Sequence, residues 1–180
     1  MAYLTFNDLS AKNYTRASSL NESIRATSTS DIHVFLSYRR EDQRWVDSIV
    51  RFLKSVGVSV YIDYLDDTLD DKSNEQVAQV LRNRIGYCKK FITLATPNSS
   101  KSKWMPWELG LGDRINNYKN VAILPLTTLP NSWADQEYGA IYGRIENIPS
   151  FGFRKEETWY VIFPDGNRTE LKKWLIINYS

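Results

Sequence analysis

Residues 32–63, IHVFLSYRREDQRWVDSIVRFLKSVGVSVYID, decide the fold, because a short apolar run, a helical pattern and a second apolar run follow one another here. Residues 32–37 are typical of a buried strand. Between residues 40 and 56 apolar side chains recur at helical spacing, and Gly57 ends that pattern. Residues 58–63 form the second apolar run. A strand, a helix and a strand in this order predict a βαβ unit with two parallel strands.

The same alternation continues toward the C-terminus. Ser73 and Gln76 are spaced as a capping box, which predicts the start of the next helix. A third apolar run at 91–95, a helix at about 102–117 and a fourth run at 121–124 extend the pattern. The sequence therefore predicts an α/β protein in which helices cover a parallel sheet.

The two ends of the chain are less regular. Residues 1–30 show loose helical spacing followed by a Ser- and Thr-rich stretch, which predicts a short N-terminal helical extension and linker before a single domain at 31–180. Near the C-terminus, residues 159–163 predict a fifth strand. We expect Asn167 and Glu170 to cap a closing helix that runs through Ile176.

Composition excludes several classes of function. The 180 residues carry a net charge of +2, which gives no basic footprint for nucleic acid. One cysteine and one histidine allow neither an internal disulfide nor a Cys/His zinc site, and we expect no metal site. No apolar run reaches the roughly 18 residues of a membrane span, and no signal peptide is recognised. We expect a soluble protein of the cytoplasm that does not bind membranes.

Three smaller features favour structural explanations. Gly110 and Gly112 do not complete a dinucleotide-binding loop, so we expect them to allow close helix packing. Cys88 precedes a strand and is expected to be buried and inert. Five aspartates between Asp63 and Asp71 lack the glycine and terminal glutamate of an EF-hand, which favours a solvated loop over a calcium site.

Candidate chemistry lies where the strands end. Ligands of parallel sheets bind beyond the carboxyl ends of the strands, which directs attention to the loops after Ser37, Asp63 and Ala95. In the helix after the third strand, Trp104 and Glu108 are four residues apart and share one helical face. This spacing alone is more often a packed tryptophan beside a solvated glutamate. Its position at the ligand edge favours a site.

At this point the sequence resembles the Toll/interleukin receptor (TIR) domain family over about residues 31–178. Residues 35–40, FLSYRR, match the first conserved box of that family, and residues 57–63 match its second strand. Trp104 to Glu108 match the W-x-x-x-E signature of the NAD-consuming members. The closing residues 160–166 with 171–175 resemble bacterial stand-alone TIR proteins more than animal signalling adaptors.

The resemblance implies a flavodoxin-like three-layer fold with a central parallel five-stranded sheet in the order 2-1-3-4-5. It also implies cleavage of the nicotinamide–ribose bond of NAD+ with Glu108 as the essential carboxylate, and with NAD+ as substrate and no cofactor. A nearby helix N-terminus is expected to help keep Glu108 ionised. We expect Arg39 and Arg40 to meet the pyrophosphate and Trp104 to stack on a ring of the substrate. The complete set of expected substrate-binding residues is Ser37, Tyr38, Arg39, Arg40, Asp63, Trp104 and Trp107.

Partners follow from the same resemblance. The loop from Tyr64 to Lys72 is expected to mediate self-association through TIR–TIR contacts. The product would be ADP-ribose, with depletion of NAD+ in antiphage defence, or a cyclic ADP-ribose isomer that acts on a separate effector protein, as in Thoeris-like systems. A TIR adaptor or virulence protein without turnover is the alternative, and an intact Trp104 and Glu108 pair argues against it. A nucleoside-handling enzyme of related fold, such as a deoxyribosyltransferase, is a third possibility that assays with free nucleosides separate.

Overall fold

The computed structural model describes residues 2–11, 33–55, 61–62, 73–102, 104–133, 137–149 and 157–179. The strands within these ranges are β1 (Leu4–Thr5), β2 (His33–Ser37), β3 (Tyr61–Ile62), β4 (Lys90–Ala95), β5 (Val121–Thr127), β6 (Gly143–Pro149), β7 (Glu157–Ile162) and β8 (Arg168–Glu170). The α-helices are α1 (Phe6–Ala11), α2 (Gln43–Ser55), α3 (Asn74–Tyr87), α4 (Trp104–Asn116) and α5 (Leu171–Ile176).

One sheet with the strand order β3-β2-β4-β5-β6-β7-β8 organises the molecule. The pairs from β3 to β6 are parallel, whereas β7 and β8 are antiparallel to their neighbours. The α/β fold and the order of the first four expected strands are confirmed. The capping box is also confirmed, because Ser73 and Gln76 exchange both of its hydrogen bonds at the start of α3.

The strand expected at residues 159–163 is confirmed, but its position and direction in the sheet differ from the expected fifth parallel strand. The run at 159–163 lies in β7, one place further out and antiparallel, and β6 takes the position beside β5. The sequence hides β6 because Arg144 and Glu146 interrupt its apolar pattern. In the folded chain Arg144 Nε lies 3.3 Å from a carboxylate oxygen of Glu146, so the two charges compensate each other.

The expected cap of the closing helix is also wrong. Asn167 lies in the turn between β7 and β8, where its backbone N–H donates to Asp165 Oδ1 at 2.9 Å. Gly166 adopts a φ of +83° in the same turn, a conformation that glycine reaches without strain. Residues 168–170 pair with β7 as a strand, so α5 begins only at Leu171, and Glu170 makes no side-chain capping bond.

The N-terminal residues are part of the sheet. Strand β1 pairs in parallel with the carboxyl end of β5, and Ala2 exchanges two backbone hydrogen bonds of 2.9 and 2.8 Å with Asn147 of β6. Leu4 and Leu9 are buried in the core. Helix α1 covers only residues 6–11, and strand β1 precedes it, so the helical extension expected within residues 1–30 stays a prediction beyond residue 11. Residues 12–32 lie outside the described residues, so the division of the chain at residue 30 stays a prediction.

Two apolar clusters fill the two faces of the sheet, one against α1, α2 and α5 and the other against α3 and α4. Gly112 of α4 packs directly on the sheet, since a Cβ there would lie 2.6 Å from the ring of Phe91. The expectation of close packing is confirmed for Gly112. Around Gly110 the space is open, so close packing does not explain that glycine. Cys88 is buried as expected.

Candidate active site

Strands β2 and β4 and helix α4 position a buried carboxylate. Ser37 is the last residue of β2, and Glu108 lies in the second turn of α4. The Ser102 hydroxyl accepts the N–H of Met105 at 3.1 Å, which fixes the start of the helix. Glu108 is only 2% exposed, and Ser37 Oγ donates to its Oε2 at 2.5 Å. Ser37, expected to bind substrate, is thus in direct contact with the carboxylate.

Burial dominates the electrostatics of this carboxylate. It raises the pKa of Glu108, and the hydrogen bond from Ser37 lowers the pKa by a smaller amount. The expected help from a helix N-terminus does not decide the outcome, because Glu108 lies one turn into α4 and the helix dipole fades within the first turn. A positive charge placed beside such a buried carboxylate stabilises its ionised form and lowers its pKa.

Two tryptophans of α4 lie near the carboxylate in sequence. Trp104 is 38% exposed and meets Trp107 edge to face, with ring centroids 5.6 Å apart. Trp107 is half-buried against the cluster below α3 and α4, and the guanidinium of Arg82 lies 5.7 Å from its ring centroid. Trp104 therefore offers an open aromatic surface one helical turn from Glu108, whereas Trp107 supports it from behind.

The two arginines after β2 differ in their surroundings. Arg39 donates two hydrogen bonds to the carboxylate of Glu41, at 2.6 and 2.8 Å, and a third to the carbonyl of Asn98 at 3.2 Å. The hydrogen bond with Arg39 lowers the pKa of Glu41 to about 2. Arg40 is exposed and begins a 3-10 turn. The guanidinium fork of Arg39 is therefore engaged within the protein.

A buried aspartate that the sequence did not single out joins two loops of this edge. Asp42 is 2% exposed and accepts hydrogen bonds from Thr96 Oγ1 at 2.6 Å and from Asn98 Nδ2 at 2.8 Å. The loop after β2 is thus tied to the loop after β4. The sequence signal was weak, since an aspartate in the first turn of a helix is usually solvated.

Of the remaining residues expected to bind substrate or a partner, the structure describes Tyr38 but not Asp63 or the loop 64–72. Tyr38 is half-buried and packs on the cluster below α2. Asp63 and the loop 64–72 lie outside the described residues. Within the described ranges, no group of three or more His, Cys, Asp or Glu side chains is placed to hold a metal ion. No helix in the described part of the chain is long and apolar enough to cross a membrane.

Comparisons with known proteins point to one family. The family model described as TIR domain matches residues 34–158. The chain is 34% identical over 130 residues to the probable 3′ cyclic ADP-D-ribose synthase ThsB′ of Bacillus cereus (strain MSX-D12), a match that covers 70% of this chain and 66% of that protein.

A second similar protein is the putative cyclic ADP-D-ribose synthase TIR2 of Cytobacillus dafuensis. It is 30% identical over 80 residues, which cover 42% of this chain and 21% of that protein. The chain therefore matches just under two thirds of the length of the first relative and about a fifth of the second.

Proposed function

Because the chain belongs to the TIR domain family, we propose that it is an enzyme that cleaves the nicotinamide–ribose bond of NAD+ and forms a cyclic ADP-ribose. The names of both relatives support this reaction. The observation that carries the proposal is the buried Glu108, held by Ser37 at the ligand edge of the sheet, one helical turn from the exposed Trp104.

The proposed chemistry needs only one carboxylate. The bond between the anomeric carbon and the pyridinium nitrogen breaks, and its electron pair stays on nicotinamide, which leaves as a neutral molecule. No general acid is required, in contrast to ordinary glycosidases. The positive charge that develops on the ribose faces Glu108, whose ionised form stabilises it in a site that excludes water. The pyridinium charge of bound NAD+ also favours ionisation of Glu108 against the effect of burial.

The neighbouring residues receive roles in binding. Oε2 of Glu108 accepts from Ser37, so we assign the other carboxylate oxygen to a ribose hydroxyl. Trp104 stacks on the substrate with its exposed ring. Of the two arginines, we assign the pyrophosphate to Arg40, because its side chain is exposed at the ligand edge of the sheet, whereas that of Arg39 is half-buried.

The wider setting is part of the same proposal. The anomeric carbon is captured by a group of the same molecule, which gives a cyclic product, or by water, which gives ADP-ribose. We propose that the protein acts in the cytoplasm in antiphage defence, that it self-associates through TIR–TIR contacts, and that its product acts on a separate effector protein.

Incubation of NAD+ with the purified protein, followed by mass spectrometry, tests the proposal. We expect free nicotinamide together with a product that has the mass of cyclic ADP-ribose, which is one water lighter than ADP-ribose. The assay is run over a range of protein concentrations, because a self-associating enzyme gains activity faster than in proportion to its concentration. If NAD+ stays intact at every concentration while the protein self-associates, the chain is an adaptor and the proposal fails.

A further inference from the structure

A cavity of about 480 Å³ lies on the α4 side of the sheet, beyond the carboxyl ends of β4 and β5. Its volume is in the range of small-molecule sites. The described residues that line it are apolar or carry hydroxyl groups, and none of them is charged. They include Thr93, Met105, Ile123, Thr127, Ser132 and Trp133. This described part of the lining suits an uncharged ligand better than a phosphate or a carboxylate.

Most hydroxyl groups around the cavity are engaged within the protein. Thr96 Oγ1 donates to Asp42, Ser99 Oγ donates to the carbonyl of Thr96 at 2.7 Å, and Thr127 Oγ1 donates to the carbonyl of Leu129 at 2.7 Å. Thr93 differs. Its side chain is 5% exposed and lines the cavity, yet its hydroxyl has no hydrogen-bond partner among the described residues. A buried hydroxyl without a partner costs stability, and a ligand that pairs with it recovers that cost.

Thr93 connects the cavity to the carboxylate. It is the register partner of Ser37 on the neighbouring strand, and Ser37 holds Glu108. Register partners point to the same face of a sheet, and neighbouring strands lie about 4.8 Å apart. Thr93, which lines the cavity, is thus one strand away from Ser37, whose hydroxyl orients Glu108.

The N-terminus fixes another part of the lining, at Trp133. The ring of Tyr3 meets Trp133 edge to face, with centroids 5.8 Å apart, and the N–H of Tyr3 donates to the carbonyl of Pro130 at 2.7 Å. Strand β1 therefore holds the loop that presents Trp133. An indole ring that lines the same cavity as the apolar side chains of Met105 and Ile123 favours a flat ligand.

We propose that this cavity binds an uncharged heteroaromatic base with an exocyclic amide or amino group, hydrogen-bonded to Thr93. The inference rests on the proposed function for the source of the base, because NAD+ carries two such groups, the nicotinamide released at Glu108 and the adenine at its other end. The cavity receives one of them.

Binding of the free bases, measured without turnover, tests the inference. Nicotinamide and adenine are titrated separately into the wild-type chain and into Glu108→Gln, and the signals of the Met105 and Ile123 methyl groups and the Trp133 indole are followed by NMR. We expect one of the two compounds to shift these signals in both proteins. Thr93→Val keeps the shape of the side chain and removes the hydroxyl, and we expect it to weaken that binding about tenfold.

Two controls keep the test decisive. Thr158→Val on β7 changes a half-buried threonine away from the cavity and should leave binding unchanged. Ser132→Trp fills the exposed rim and should block binding while the chain stays folded. The inference is overturned if neither compound shifts the cavity signals, or if Thr93→Val and Ser132→Trp both bind as the wild type does. Base binding without NAD+ cleavage refutes only the proposed function, and cleavage without base binding refutes only the cavity.

Discussion

The Ser37 hydroxyl donates a hydrogen bond of 2.5 Å to the carboxylate of Glu108 across 71 residues of sequence. Both side chains are buried, so the bond is shielded from water and fixes the carboxylate against the end of β2. Glu108 of the W-x-x-x-E signature is therefore held in place by Ser37, which belongs to the motif at residues 35–40.

Replacement of Ser37 by alanine should move the pH dependence of activity. The hydrogen bond from Ser37 lowers the pKa of Glu108, so its loss raises that pKa further. Because the ionised form is the active one, the acid limb of kcat/KM should shift to higher pH, and activity lost near neutrality should return in part at higher pH. Steady-state rates between pH 5 and 9 measure the shift, with Ser48→Ala on α2 as control. Superimposable profiles for Ser37→Ala and wild type would contradict this positioning role.

The two arginines should respond differently to substitution. Arg40→Ala should raise KM by roughly tenfold with little change in kcat, as expected for the loss of a charge-assisted contact to pyrophosphate. Arg40→Lys should restore binding only in part, because lysine lacks the bidentate fork. Arg39→Ala should act mainly on stability, since it removes the contacts with Glu41 and Asn98. Steady-state kinetics and thermal unfolding separate the two effects, and an unchanged KM in Arg40→Ala would remove the assignment.

Lys90 predicts a pH dependence of stability. Its amine is buried, donates to Asn120 Oδ1 at 2.6 Å and lies over the rings of Trp174 and Tyr179. Burial lowers the pKa of Lys90 from 10.5 to about 7. Between these values the unfolded chain holds a proton that the folded chain lacks, so stability should increase as pH rises from 7 to 9.

Lys90→Met provides the reference for this experiment. Denaturant unfolding of both proteins at pH 7, 8 and 9 should show a gain in the free energy of unfolding of the wild type relative to the variant. A constant difference between the two proteins at all three values would mean that the amine does not titrate in this range.

The N-terminal strand should be essential for stability. Leu4 is fully buried beside β5, so Leu4→Ala should lower the free energy of unfolding by about 2–5 kcal/mol. Leu129 is 62% exposed, and Leu129→Ala should change the free energy of unfolding by less than about 0.5 kcal/mol. Urea titrations measure both. Equal stabilities of the two variants would show that β1 does not pack as described.

The predictable part of the fold is the part with long apolar runs. Strands β2, β4 and β5 are buried on both faces and read as near-continuous apolar segments, whereas α2 shows a clear helical stripe. Strand β6 is not predictable from the apolar pattern, because the charges of Arg144 and Glu146 compensate each other only in the folded chain. The role of Asn167 was misassigned because the same asparagine serves a turn as well as a helix cap.

Local sequence patterns also predict only part of the candidate site. The spacing of Trp104 and Glu108 identified the carboxylate, but its burial depends on Ser37, a contact that no local pattern contains. The burial of Asp42 likewise depends on Thr96, and only the folded chain shows that the hydroxyl of Thr93 has no hydrogen-bond partner among the described residues.

The rate of nicotinamide release by Glu108→Gln shows whether Glu108 is the catalytic carboxylate. Glutamine keeps the volume of the side chain and its bond to Ser37 but removes the charge, so the variant should fold at least as well as the wild type. We expect release from NAD+ to fall by about 10²- to 10³-fold, while Glu75→Gln, an exposed site on α3, retains the wild-type rate. Release of nicotinamide by Glu108→Gln at the wild-type rate would contradict the account.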